Sequence, residues 1–130
     1  MKGPLQDLRV ECPRPGAAVV VFTGEHDLMT ADRIQALLVS LVAQNDLVVA
    51  DFSEAEFVDS SVLSALFRTN AAARRSGTSL TLQLGTAPVV KRAFELSGIL
   101  TQLRCTESRQ EALDEGRPAT GAEVSDAGAA

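Results

Sequence analysis

The chain has 130 residues, 45% of them hydrophobic, and 12 basic against 17 acidic side chains give a net charge of -5. That length fits one domain with a real core, while a pI near 4.8 argues against nucleic acid or an anionic membrane surface as partner. There is no Trp or Tyr to stack on single strands. Two isolated cysteines, Cys12 and Cys105, form neither a disulfide framework nor a metal pattern, which suits a reducing cytosol. The opening MKGPLQDLRV lacks the apolar core of a signal peptide, and no apolar run approaches the ~20 residues that cross a bilayer. A soluble, cytoplasmic protein is expected.

Residues 5–12, LQDLRVEC, read as a short strand. Pro13-Arg14-Pro15-Gly16 reads as a turn, because two prolines and a glycine deny both ladder and helix. Ala17 to Thr23 is continuous and β-branched, hence a central strand buried on both faces. The segment 24–29 reads as a loop. Thr30 is the candidate cap of a first helix, Asp32 suits the positive end of its dipole, and Ile34, Leu37, Leu38, Leu41 and Val42 trace one apolar stripe. After Gln44-Asn45-Asp46, Leu47 to Ala50 is a second buried strand. The polar segment 52–59 reads as a loop, with Phe57 and Val58 tucked into the core.

A helix from Ser60 to Ser76 follows, with Val62, Leu63, Leu66 and Phe67 at helical spacing. Asp59, Ser60 and Ser61 all qualify as its N-cap. Arg74 and Arg75 suit its last turn, and Gly77 a left-handed C′ position. Leu80 to Leu84 alternates, so its second face is expected to be less buried. The segment 85–87 is a loop, and Pro88 is placed as an N1 proline. Val89, Val90, Ala93, Phe94 and Leu96 make a third apolar helix face ending at Gly98. Ile99 to Cys105 suggests a short edge strand, and Ser108 to Leu113 a last short helix. From residue 116 the chain is rich in small and turn residues. The expected organisation is one domain over 1–115 and a disordered tail over 116–130.

The order β-β-α-β-α-β-α-(β)-α implies an α/β fold. Its sheet should be mainly parallel, four- to five-stranded, with right-handed crossovers and an antiparallel first strand. Loops after the parallel strands emerge at one edge, the usual ligand edge. That brings Asp27, Ser60 and Thr86 toward one another. A serine at a helix start most simply caps. A phosphate on it would add roughly 1.5 to 2 negative charges. Glu25, Asp27, Glu54, Glu56 and Asp59 already make the edge acidic, so such a charge is expected to act on a docked partner rather than on the fold. Asp27 also reads as a simple turn cap, Ser61 as the real cap or a second hydroxyl, and Thr86 as a loop hydroxyl.

Enzymatic readings fare poorly. His26 is the single histidine and adjoins Asp27, so the two side chains point apart on an extended backbone, and no G-x-S-x-G elbow exists for a hydrolase triad with Ser60. A phospho-acceptor role for Asp51 needs a nearby acidic pair, for which Glu25 and Asp27 are the candidates, and a lysine on a late strand. Lys91 is the only lysine besides Lys2 and falls on a helix. No phosphate-cradling loop of the Walker type appears. No cofactor, no metal and no catalysis are expected.

Four stretches resemble one family. Thr23-Gly24-Glu25-His26-Asp27 is similar to T-G-E-x-D after the second strand of STAS domains of the bacterial anti-sigma factor antagonist type. Asp51-Phe52-Ser53 followed by Phe57-Val58-Asp59-Ser60-Ser61 is similar to the family's D-L-S and F-x-D-S-S segments. Gly77 matches a common glycine, and Pro88 to Gly98 resembles a P-x-V-x-R helix ending in glycine. The resemblance covers about residues 8–115. It implies that Ser60 is a phosphorylation site and that Asp27 lies beside it. It implies that the partner is an anti-sigma factor serine kinase, bound by the unphosphorylated form so that the sigma factor is freed, that phosphorylation ends this binding, and that a serine phosphatase acting on the phosphorylated form restores it. Glu25, Asp59, Ser61 and Thr86 join Asp27 as expected partner-binding residues. Many members carry Gly where this chain has Val62, a branched side chain expected to crowd the kinase's approach. STAS domains also serve as scaffolds in signalling assemblies and as small subunits of lipid transporters, which is the alternative role.

Overall fold

The computed structural model describes residues 8–115. The start of the expected first strand and the expected tail lie outside them. The elements are β1 (Leu8–Arg14), β2 (Ala17–His26), α1 (Leu28–Gln44), β3 (Leu47–Val58), α2 (Ser60–Ser76), β4 (Ser79–Gln83), α3 (Pro88–Ser97), a 3-10 turn (Ile99–Thr101), β5 (Arg104–Thr106) and α4 (Arg109–Glu115). They build one sheet in the order β1-β2-β3-β4-β5. β1 runs antiparallel to β2 and every other pair is parallel. The α/β class and the five-stranded mixed sheet match the sequence reading.

The continuous apolar runs are explained by two covered faces. Val20, Phe22, Val48, Ala50 and Leu82 pack with Ile34, Leu38, Val62, Leu66, Val90 and Phe94 of α1, α2 and α3. The intervening residues Val19, Val21 and Val49 pack with Ala112 and Leu113 of α4. Helix α4 also lies against β4. The second face of β4 is therefore not half-open as expected: Thr81 is 0% and Gln83 7% exposed.

Several boundaries differ from the expectation. Pro13 and Arg14 belong to β1 rather than to the turn. A proline is tolerated there because β1 is an edge strand, and the register shifts between Glu11 and Arg14. Helix α1 begins at Leu28, not Thr30, and its cap is Asp27. Asp32 then falls in the second turn rather than beside the helix start. Val89 and Leu96, read as core, are 56% and 74% exposed; Val90 and Phe94 alone bury fully on α3.

The largest difference fixes the site. The segments read as loops, 24–26 and 52–58, continue β2 and β3 as a parallel two-stranded ribbon beyond the rest of the sheet. Thr23 pairs with Glu54, Gly24 with Ala55, Glu25 with Phe57 and His26 with Val58. Two register shifts each give β3 one extra residue. A bulge adds one to the two-residue period of a strand. Phe52, Ala55 and Val58 consequently all face inward at intervals of three. The ribbon's base is held by Phe22 stacked on Phe52 at 4.2 Å, with Phe94 edge-on to Phe52 at 5.0 Å.

Candidate functional site

The ribbon carries β2 and β3 to a common end, where both following helices start. The Asp59 amide donates to the His26 carbonyl at 3.2 Å. His26 itself is buried, edge-on to Phe22, with Nε2 3.1 Å from the Thr23 carbonyl. Asp27 and Asp59, the next residues on the two strands, are the two helix caps. Asp27 accepts from the Met29 amide at 2.9 Å. Asp59 accepts from the Ser61 amide at 3.0 Å and the Val62 amide at 3.4 Å. The Ser61 hydroxyl also donates to Asp59.

These bonds decide between the three candidate caps of α2. Asp59 is the cap, Ser61 supports its carboxylate, and Ser60 is the first helical residue. The Ser60 hydroxyl is exposed and makes no hydrogen bond to another described residue. Its simplest structural role, capping, is thus already filled by its neighbour. Partial burial would raise the Asp59 carboxyl's pKa. The Ser61 hydroxyl and the amides of Ser61, Val62 and Leu28 outweigh that and hold it below the usual carboxylate range. Asp59 is therefore an anion beside Ser60 at neutral pH.

Around this point Glu25, Asp27 and Glu56 are exposed. Glu54 is not a free carboxylate: it accepts from the Thr23 hydroxyl at 3.2 Å and pairs with Arg9 at 3.4 Å. Phe57, read as a core anchor, is 40% exposed, because the bulge before it turns Val58 inward instead. Leu28 and Met29 are 72% and 85% exposed at the start of α1. Val62 is wholly buried in the core and presents no side chain to a visitor.

Asp27, Asp59, Ser60 and Ser61 are thus brought together, with Glu25 paired to Phe57 just behind. Thr86 sits elsewhere. The adjoining Gly85 lies so close to β3 that an added Cβ would meet the Phe52 carbonyl oxygen at 2.7 Å. From there the ribbon runs on for about 17 Å to Val58, at ~3.3 Å per residue. Thr86 instead lines a hollow of about 260 Å³ with Leu84, Gly85, Lys91 and Glu107, and none of the ribbon-tip residues reaches it.

Asp51 is not available as a phospho-acceptor. It is 3% exposed, accepts from the Ser53 amide at 2.8 Å and pairs with Arg109 of α4 at 3.5 Å. Arg109 also binds Glu11, which in turn binds Arg9. This chain of charges ties α4 and β1 to the sheet. It was invisible in the sequence, because its bonded partners lie up to 98 residues apart. Among the described residues no group of three His, Cys, Asp or Glu is arranged to hold a metal, and no helix is long and apolar enough to cross a membrane.

Proteins of known structure share this fold. An anti-sigma factor antagonist from Mycobacterium paratuberculosis is 26% identical, with a TM-score of 0.71 over 85% of this chain and 92% of that one. The Bacillus cell fate determinant SpoIIAA in its phosphorylated form is similar in fold at 19% identity, with a TM-score of 0.66 over 85% of this chain and 99% of that one. A sulfate transporter family protein from Wolinella succinogenes is likewise similar in fold, at 18% identity and a TM-score of 0.69, over 82% of this chain and 88% of that one. Residues 13–104 match the family model described as "Mlab, STAS domain", and on that match the chain belongs to the STAS domain family.

Proposed function

We propose that this STAS domain is an anti-sigma factor antagonist, a non-enzymatic switch governed by Ser60. In its unphosphorylated form it binds an anti-sigma serine kinase and so frees a sigma factor. Phosphorylation of Ser60 by that kinase ends the binding, and a serine phosphatase restores it. The cytoplasm is the compartment such partners require. The observation that carries this reading is the Ser60 hydroxyl itself: exposed at the first position of α2 and relieved of capping by Asp59. Likeness to an anti-sigma factor antagonist at 26% identity supports it.

The roles of the neighbours follow from where they lie. Glu25 and Asp27 flank Ser60 as partner contacts, while Asp59 and Ser61 hold the helix start in shape for the kinase. Thr86 takes a peripheral contact near the start of α3. A phosphate on Ser60 would join the carboxylates of Asp59 and Asp27. It acts on a docked partner by repulsion and desolvation.

Incubation with a purified anti-sigma serine kinase and ATP, followed by mapping of the phosphate by mass spectrometry, tests the reading. Phosphate on Ser60, with Ser60→Asp binding the kinase more weakly than Ser60→Ala, is the expected result. Phosphate elsewhere, or equal affinity of the two variants, refutes it. A second reading, a regulatory subunit of a transporter, is favoured by the likeness in fold to a sulfate transporter family protein. Co-purification with a membrane transporter subunit in preference to the kinase would establish it.

A further inference from the structure

Seven large apolar side chains stand exposed among the described residues, and three of them, Leu28, Met29 and Phe57, gather at the ribbon tip. The Leu28 amide bonds the Asp59 carboxylate, and Phe57 pairs with Glu25 two residues before Asp27. Ser60 follows Asp59 directly. None of the three is needed for the local structure. Capping of α1 is done by Asp27, and the ribbon's inward positions are filled by Ala55 and Val58. A methionine 85% exposed beside a leucine 72% exposed leaves apolar surface in water at a cost that a buried interface would remove.

The charges around the patch say what covers it. Between residues 15 and 67 the sequence holds eight acidic side chains and one basic one, Arg33. Glu25, Asp27, Glu56 and Asp59 each lie within two positions of the apolar trio along the chain or opposite it across the ribbon, and the described basic residues other than Arg33 come from β1 or from residue 68 onward. A fitting surface has an apolar hollow with a basic rim. A second copy of this chain would bring acid against acid, and an anionic lipid surface would be repelled.

We propose that Leu28, Met29 and Phe57 are the apolar anchor by which the anti-sigma serine kinase holds this domain, with affinity supplied by that anchor and switching supplied by the charge at Ser60. This rests on the kinase reading given above. It separates two contributions that a single contact at Ser60 would merge. Salt screens the charge of a phosphate or of Ser60→Asp, but not the burial of Leu28 and Met29.

The test is titration of the purified kinase with the wild-type domain, with the double variant Leu28→Ser/Met29→Ser, with Phe57→Ser and with Ser60→Asp, at low and high salt. Leu96→Ser, an equally exposed change on α3, is the control. The double variant is expected to weaken binding at least about tenfold at both salt concentrations. Phe57→Ser has a smaller effect and Leu96→Ser none. The Ser60→Asp defect shrinks at high salt. All five positions are exposed, so circular dichroism melts should stay near wild type. Double-variant affinity equal to wild type, with wild type bound and phosphorylated at Ser60, overturns the anchor and leaves the kinase reading standing. Failure of the wild type to bind the kinase overturns both. Sedimentation showing a dimer that the double variant abolishes assigns the patch to a second copy and overturns the anchor as well.

Discussion

The division of labour between Asp59 and Ser60 can be measured without any partner. Asp59→Ala removes the acceptor for the Ser61 and Val62 amides and for the Ser61 hydroxyl. Loss of an N-cap costs about 1 kcal/mol, within a range of roughly 0.5 to 2. Asp59 carries more bonds than a minimal cap, so the upper half of that range applies. For a domain of this size, about 1 to 2 kcal/mol lowers the melting temperature by roughly 4–8 °C. Ser60→Ala removes a hydroxyl with no intramolecular bond and should stay within about 0.5 kcal/mol of wild type. Asp59→Asn keeps an oxygen acceptor and caps about as well at neutral pH. Acid separates the last two. The Asp59 carboxyl is depressed in the folded state. Its ionic contribution is therefore fully present above the ordinary aspartate value of about 3.9. It is lost as pH falls through the lower folded value. Wild type should lose stability relative to Asp59→Asn across that interval. Thermal melts by circular dichroism at pH 7 and through the acid range measure all of it. A Ser60→Ala variant as damaged as Asp59→Ala would refute the assignment, since Ser60 would then be the cap.

Three other outcomes are expected. Gly85→Ala should lower the urea midpoint by the equivalent of about 1–3 kcal/mol, because its Cβ would stand 2.7 Å from the Phe52 carbonyl oxygen and 3.0 Å from the Ser53 Cα, both backbone atoms. Arg109→Ala leaves the buried Asp51 carboxylate with the Ser53 amide alone. Chemical denaturation should show a loss of about 1–3 kcal/mol, reduced from the value for a fully buried pair because Arg109 is partly exposed. Burial pushes the Cys105 thiol up to about 11, whereas Cys12 is exposed. A thiol reagent at pH 8, followed by mass spectrometry, should label Cys12 more than about tenfold faster than Cys105.

The parts of the fold legible in the sequence were those written in one unbroken period. Ser60 to Ser76 carries a polar start, one apolar stripe, two terminal arginines and a glycine, and it forms a helix over those limits with Gly77 in the left-handed region at φ 72°. The β2–β3 ribbon was not legible, because two bulges in β3 move the inward residues to intervals of three and interleave them with Ser53, Glu54 and Glu56. Such a pattern reads as a polar loop under a strict two-residue period. The burial of Thr81 and Gln83 was hidden for another reason. It depends on α4, seven residues long, whose apolar contact with the sheet consists mainly of Ala112 and Leu113. The cap of α2 lay among three adjacent residues with nearly equal capping ability. Only the direction of the Asp59 side chain separates them.

The same geometry explains why a charge at Ser60 should act outward. The amides of Ser61 and Val62 are already taken by Asp59, so a phosphate one residue later meets a helix start whose leading donors are occupied. The carboxylates of Asp59 and Asp27 cap the two helix starts at this end of the ribbon, and the surface opens to water, where like charges repel weakly. The fold, whose core closes at Val58 and Val62 just beneath, is insulated from that repulsion by Asp59's own bonds. A docked protein is not. It would expel the water that screens these charges, and the repulsion would grow as the interface closes. A switch of this kind needs no change of shape in the domain that carries it. The melting temperature of Ser60→Asp should therefore stay close to that of wild type while its affinity falls.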